Sequence, residues 1–237
     1  MSKYSAGVLF GEELEALYKD AKANKFAMPA VNTIGTDSIN ATLETAAKVN
    51  SPVIIQFSNG GAQFIAGKGM PNDKMQANIS GAISGALHIH NVAKHYGVPV
   101  ILHTDHASHK WLPWISALID AGQEFHKEKG RPLFSSHMLD LSEETIEDNI
   151  QTSVEYFKRM QPLGMGIEIE LGVKPGFILF FDKNWAFETT VGIAGFSTRI
   201  EETTTNNDRE NRQKIVESGI DLRLNILQLN LGIAYYF

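Results

Sequence analysis

The sequence predicts an α/β fold, a parallel sheet built from βα units over roughly residues 1–172, followed by a tail of amphipathic β-strands over 173–237. Three observations carry this reading. Helical and strand patterns alternate with regular punctuation as far as Gly172, as they do in βα units. Near the C-terminus strict period-two alternation replaces them. The texture also changes at about Val173: the 64 residues from Lys174 hold nine aromatics, against thirteen in the preceding 173, and no window there has helical periodicity.

The elements follow in order. Glu12 to Asn24 carries Leu14, Leu17, Tyr18 and Ala21 at three- and four-residue spacing, a helix ahead of the first strand, Phe26 to Asn32. Thr36 or Asp37 caps a helix running to about Val49, and VIIQFS, Val53 to Ser58, is the second strand. A glycine-rich loop from Asn59 to Gly69 leads to a long helix, about Asp73 to Tyr96. VPVILHT, ending at Asp105, is the third strand, and a helix around Trp111 to Ala121 begins near Pro113. Leu133 to Asp140 is the fourth strand. Ser142 is placed to cap a helix with an acidic first turn, Glu143 to Met160, and Gly166 to Leu171 is the fifth strand. In the tail, Trp185 to Ile193, Asp221 to Asn225 and Leu227 to Phe237 alternate as strands, with a long polar loop at 201–214.

Composition removes several function classes. The 21 Lys and Arg face 27 Asp and Glu, giving a net charge of −6 without any basic block, so no nucleic-acid partner is expected. The absence of cysteine excludes a thiol nucleophile and sulfur-ligated zinc, so a metal would need His, Asp and Glu. The N-terminus lacks the pattern of a secretory signal and no run is long enough to span a membrane as a helix. A cytoplasmic location is the expectation.

In a parallel βα architecture the working residues collect at the carboxyl ends of the strands. Here those ends deliver Asn32, Ser58, Asp105 with His106, Asp140, and Glu168 with Glu170. A histidine beside an aspartate can offer a metal its imidazole while the carboxylate moves protons on a substrate. A charged pair directly after VPVIL would be costly to bury unpaired, which favours function for Asp105 and His106. His103 inside the strand and His109 at a helix start read better as structural residues, and His88, His90, His95 and His126 as surface or packing residues. Asp140 can equally cap a helix, and Glu168 can equally pair with a cation in the barrel wall. Gly60, Gly61, Gly67 and Gly69 are a weak signal for an anion-binding loop.

The stretches FAMPAVNTIGTDSINATLETAAKVNSPVIIQFSNGGAQFIAGKG, GVPVILHTDHASHKWLPWISALIDAG, PLFSSHMLDLSEETIEDNI and MGIEIELG closely resemble class II fructose-bisphosphate aldolases over about residues 25–172, and less distinctively from residue 1. The resemblance implies a (β/α)8 TIM-type barrel, here with about five βα units. It also implies zinc, or another divalent cation, polarising the ketone of a sugar-phosphate substrate during glycolytic aldol cleavage. By that resemblance Asp105 is the general acid/base, His106 a metal ligand, Asp140 and Glu170 carboxylates of the metal region, and Asn32 and Ser58 substrate contacts. After EIELG the family continues into a mobile acidic loop, two further zinc-binding histidines and a phosphate loop. None of these appears here, for all eight histidines lie between His88 and His137. The tail, ending LNLGIAYYF, resembles the C-terminal strands of a bacterial outer-membrane β-barrel protein, although too few strands are present for a barrel and a membrane role is not expected. Three functions therefore compete: a zinc aldolase, an inactive aldolase fragment fused to a β tail, and a partner- or membrane-binding module displayed through the tail. The open parallel edges leave room for a homodimer, although two sets of five strands do not make eight.

Overall fold

The computed structural model describes residues 3–173 and, beyond them, the backbone of strands 176–180, 185–191, 194–204, 212–221 and 229–235, with side chains through residue 170. The elements run β1 (Gly7–Val8), α1 (Gly11–Asn24), β2 (Ala30–Asn32), α2 (Thr36–Val49), β3 (Val53–Ser58), α3 (Asn59–Ala66), α4 (Gln76–Tyr96), β4 (Pro99–Ala107), α5 (Leu112–Lys129), β5 (Ser136–Asp140), α6 (Ile146–Met160) and β6 (Gly166–Val173). Strands β2 to β6 pair in parallel in sequence order. This α/β fold, a parallel sheet with six helices, is consistent with part of a (β/α)8 barrel. Beyond it, β9 (Ala194–Thr204) lies antiparallel to both β6 and β10 (Arg212–Asp221). A second sheet joins β7 (Gly176–Phe180), β8 (Trp185–Val191) and β11 (Leu229–Tyr235).

The core forms between the strands and α2, α4 and α5, around fully buried Phe57, Trp114, Phe134, Leu102 and Ile89. Each such side chain contributes about 1.5–3 kcal/mol through burial. Trp114 also donates its indole N–H to the Asn78 carbonyl, 3.2 Å away, which ties α5 to α4. A smaller cluster of Leu9, Leu14, Leu17 and Ile101 seats α1. Because β1 pairs with Pro99 and Val100 at the start of β4, the N-terminal segment sits at the amino end of that strand and leaves the carboxyl end uncovered by it.

Several boundaries differ from the sequence reading, each for a local reason. The expected glycine-rich loop after Ser58 is mostly helix α3, capped by the Ser58 hydroxyl accepting from the Gly61 N–H at 3.1 Å. Its contact with α4 is close: a Cβ at Gly81 would fall 1.8 Å from the Ala62 carbonyl oxygen, so only glycine fits there. Helix α2 is entered from Gly35, and Ser38 rather than Thr36 or Asp37 reaches back to accept from the Gly35 N–H. Helix α6 starts at Ile146, not Glu143, because Thr145 accepts from the Asp148 N–H while the Ser142 hydroxyl is taken by Asp140. Strand β2 is shorter than Phe26 to Asn32, and α5 runs on to Lys129. Strands β9 and β10 take residues 201–204 and 212–214 out of the expected polar loop. The expected strand starting at Asp221 falls largely on 222–228, outside the described residues, as do Ile193 and the last two residues of the expected C-terminal strand.

Candidate metal and catalytic site

Strand β4 ends in the sequence Asp-His-Ala, and the chain bulges there: the register with β5 slips between Thr104 and Ala107. His106 takes φ of 38°, in the left-handed region that a residue with a bulky side chain enters only under strain. The turn aims its imidazole across the strand ends, where it remains 57% exposed. Three carboxylates meet it. His106 Nδ1 lies 3.2 Å from Asp140 Oδ2 at the end of β5 and 3.6 Å from Glu170 Oε2 on β6. Its Nε2 lies 3.6 Å from Asp105 Oδ1. Asp140 and Glu170 are register partners across β5 and β6, so the sheet itself places them side by side.

The supporting shell fixes these groups. Asn32 Nδ2, at the end of β2, donates to Asp105 Oδ2 at 2.8 Å. The Ser142 hydroxyl and N–H donate to Asp140 Oδ1 at 2.7 and 3.3 Å. The hydrogen bond with Asp140 is the main cause that pushes the His106 pKa up to about 9, with Asp105 and Glu170 adding to it and desolvation opposing. The same bond, with help from Ser142, lowers the Asp140 carboxyl to about 2. At neutral pH the cluster thus holds an imidazolium among carboxylates.

A divalent cation suits the same place. One ligand atom each from His106, Asp140 and Glu170 lie within 4.8 Å of one another. Ligand atoms about 2.1 Å from a tetrahedral ion sit about 3.4 Å apart, and the His106 Nδ1 separations of 3.2 and 3.6 Å bracket that value. Nitrogen and carboxylate oxygen are also the donor types that zinc accepts, and three protein ligands leave a position for substrate. A cation would displace the proton that the carboxylates now hold on His106.

Five of the six residues singled out from sequence gather at this rim: Asn32, Asp105, His106, Asp140 and Glu170. Ser58 is the register partner of Asp105, yet its hydroxyl is engaged in capping α3. His103 is buried, with Nδ1 2.8 Å from Ser136 Oγ and Nε2 3.5 Å from Glu168 Oε2, which gives Glu168 its role in the wall. His88 meets Asn40 and His90 meets the Leu133 carbonyl, both as packing contacts. Sequence reading missed Ser142 as a support for Asp140. The signal was present in Thr145-x-x-Asp148, which marks the true helix start and frees Ser142 for another partner.

The profile of the family "Fructose-bisphosphate aldolase class-II" matches residues 12–177. The fructose-bisphosphate aldolase class 2 of Escherichia coli K12 is 60% identical over 171 residues, covering 72% of this chain and 48% of that protein. A fructose-bisphosphate aldolase of Borreliella burgdorferi is 51% identical over 177 residues, covering 74% and 49%. The crystal structure of the fructose-bisphosphate aldolase of Campylobacter jejuni superposes with a TM-score of 0.67 at 61% identity, covering 70% of this chain and 48% of that one. The chain spans about half the length of the curated relatives it matches.

Proposed function

Because the chain belongs to the class II fructose-bisphosphate aldolase family, we propose that it acts on fructose 1,6-bisphosphate, cleaving it reversibly to dihydroxyacetone phosphate and glyceraldehyde 3-phosphate in the cytoplasm. The observation that carries this reading is the meeting of His106, Asp140 and Glu170 beside a positioned Asp105. His106, Asp140 and Glu170 would hold a divalent cation, zinc by family resemblance. When bound, it supplies Lewis-acid polarisation of the substrate ketone. Asp105 takes the proton of the C4 hydroxyl as the C3–C4 bond breaks, and returns it in the reverse direction. Asn32 holds Oδ2 of that carboxylate and leaves Oδ1 for the proton. Asn32 and Ser58 would contact the substrate from neighbouring strand ends, Ser58 through the hydroxyl proton that remains free to donate while its oxygen caps α3. In this reading residues 1–172 are the barrel-type unit, with five of its βα units, and 173–237 a separate tail whose sequence alternation is what speaks for a likeness to outer-membrane strands.

A second reading, that the chain carries part of the family's site and does not turn over, is favoured by the distribution of histidines. His106 is the single imidazole of the cluster, and no histidine occurs after His137. Aldol cleavage by the purified chain decides between the two, assayed with added zinc, after chelation, and beside Asp105→Ala. Zinc-dependent turnover that falls by about 10²–10⁴-fold in Asp105→Ala supports the first reading. No turnover above that variant leaves the second.

A further inference from the structure

Helix α6 carries aliphatic side chains outward and polar ones inward. Ile146, Ile150 and Val154 are exposed, whereas the buried positions are Asn149, Ser153 and Met160. Asn149 is only 1% exposed and sits in the first turn, where its N–H donates to the Thr145 carbonyl at 2.9 Å. Asparagine is a poor helix former and an amide is costly to bury, so an aliphatic residue would suit the helix better. The reason for asparagine lies outside the helix.

Its Nδ2 donates to two carbonyls, that of Leu141 at 2.9 Å and that of Glu170 at 3.0 Å, while its Oδ1 accepts from the Ser153 hydroxyl at 3.2 Å. The two carbonyls are both acceptors and cannot bond to each other. A side-chain amide, with two N–H donors on one atom, joins them, and the Ser153 hydroxyl fixes which way that amide faces. The place of this bridge matters as much as its chemistry. Leu141 follows Asp140, and Glu170 is the register partner of Asp140 across β5 and β6. That pair is the last rung between them, for β5 ends at Asp140 while β6 runs on to Val173. Where the ladder stops, the Asn149 amide ties the two strand ends together.

The consequence falls on the two carboxylates. Asp140 and Glu170 approach His106 Nδ1 at 3.2 and 3.6 Å, on either side of the spacing of about 3.4 Å that ligand atoms keep around a tetrahedral ion. Ser142 orients the Asp140 carboxylate but belongs to the same turn, so it cannot fix the distance from β5 to β6. We propose that Asn149 is a positioning residue for the divalent cation: by clamping the Leu141 and Glu170 carbonyls it holds Asp140 and Glu170 at the separation the ion needs. This rests on the reading of the strand-end cluster as a cation site, and adds to it a residue that acts through the two ligands. Partners behind the ligands of a metal typically account for about 10–100-fold in affinity.

The test is Co²⁺ binding by the full chain, followed through the visible absorption that reports ligand number and geometry, with urea unfolding measured on every variant. Asn149→Ala favours the helix and leaves room for a water on the two carbonyls. It should bind Co²⁺ about 10–100-fold more weakly than wild type and with a changed absorption band. Asn149→Asp keeps the shape but sets an acceptor against both carbonyls. Its added negative charge alone would tighten cation binding, so weaker binding in this variant is the signature of a lost clamp. Ile119→Val, in the core on α5, lowers stability without touching the clamp and should keep the dissociation constant within about threefold of wild type. Wild-type affinity in Asn149→Ala overturns the proposal, and so does tighter binding in Asn149→Asp. An equal loss in Ile119→Val also overturns it, by making the effect one of stability alone. A wild type that binds no Co²⁺ overturns the cation reading itself and this role with it, whereas the other failures leave that reading standing.

Discussion

Strands β4 and β5 carry two histidine environments, one inside the sheet and one on its rim: His137 pairs in register with Thr104, two residues before His106. Inside, His137 is fully buried, with Nδ1 2.8 Å from Thr104 Oγ1 and the Phe134 ring 5.0 Å away. Its Nε2 has no hydrogen-bond partner among the described residues. Burial, with a smaller push from neighbouring His103, holds its pKa down to about 3. On the rim, His106 is drawn up to about 9 by Asp140, Asp105 and Glu170. The same side chain is therefore neutral packing in one place and a held cation in the other. What differs is the access of water and the presence of carboxylates, not the strand that carries it.

The comparison can be broken most directly at the interior residue. His137→Ala removes a buried ring and strands the Thr104 hydroxyl, and should cost about 3 kcal/mol in urea unfolding. A midpoint unchanged from wild type would mean that His137 contributes no packing. The rim residue is more than half exposed and should tolerate substitution far better.

The two histidines also give the stability curve opposite limbs. The folded pKa of His137 lies below the ordinary 6.5, so the unfolded chain binds the proton more readily. Its contribution is complete above about pH 6.5 and is lost as the pH falls toward 3, about 2 kcal/mol of it by about pH 5. The folded pKa of His106 lies above 6.5, so its contribution is complete below that value and is lost as the pH rises through about 9. Solvent screening makes this alkaline limb the shallower one. Urea midpoints measured across the pH range should show both limbs, and His106→Gln should flatten the alkaline one alone. Loss of the acid limb in that variant would show that the two sites are coupled.

The smallest effect sharpens the rim. Ser142→Ala removes the hydroxyl that donates to Asp140 Oδ1 at 2.7 Å, so the Asp140 carboxyl should titrate higher while remaining ionised where His106 titrates. NMR titration should therefore show the Asp140 pKa rising from about 2, with that of His106 not lowered and unfolding changed by less than about 1 kcal/mol. An unmoved Asp140 would assign its depression to His106 rather than to Ser142.

Much of this arrangement was legible in the sequence. VIIQFS gave its strand to the residue, the periodic helices around it followed, and the polar strand ends pointed to one rim because parallel βα units bring those ends together. Less legible was whatever depends on a choice between two local partners. Ser142 was a sound cap for a helix until Thr145 took that place, and the glycines after Ser58 looked like loop residues because glycine packing between α3 and α4 leaves no mark in a single chain's periodicity.

By itself the sequence determined the order of elements, the family and the residue types at each strand end, since hydrophobic period and turn chemistry are local properties written along the chain. Only the tertiary structure decided which of those residues meet. The bulge at His106, its left-handed backbone and its 3.2 Å approach to Asp140, 34 residues away, depend on the register of three strands. Register is set by the packing of the whole sheet, because a slip of one residue would turn every side chain to the other face.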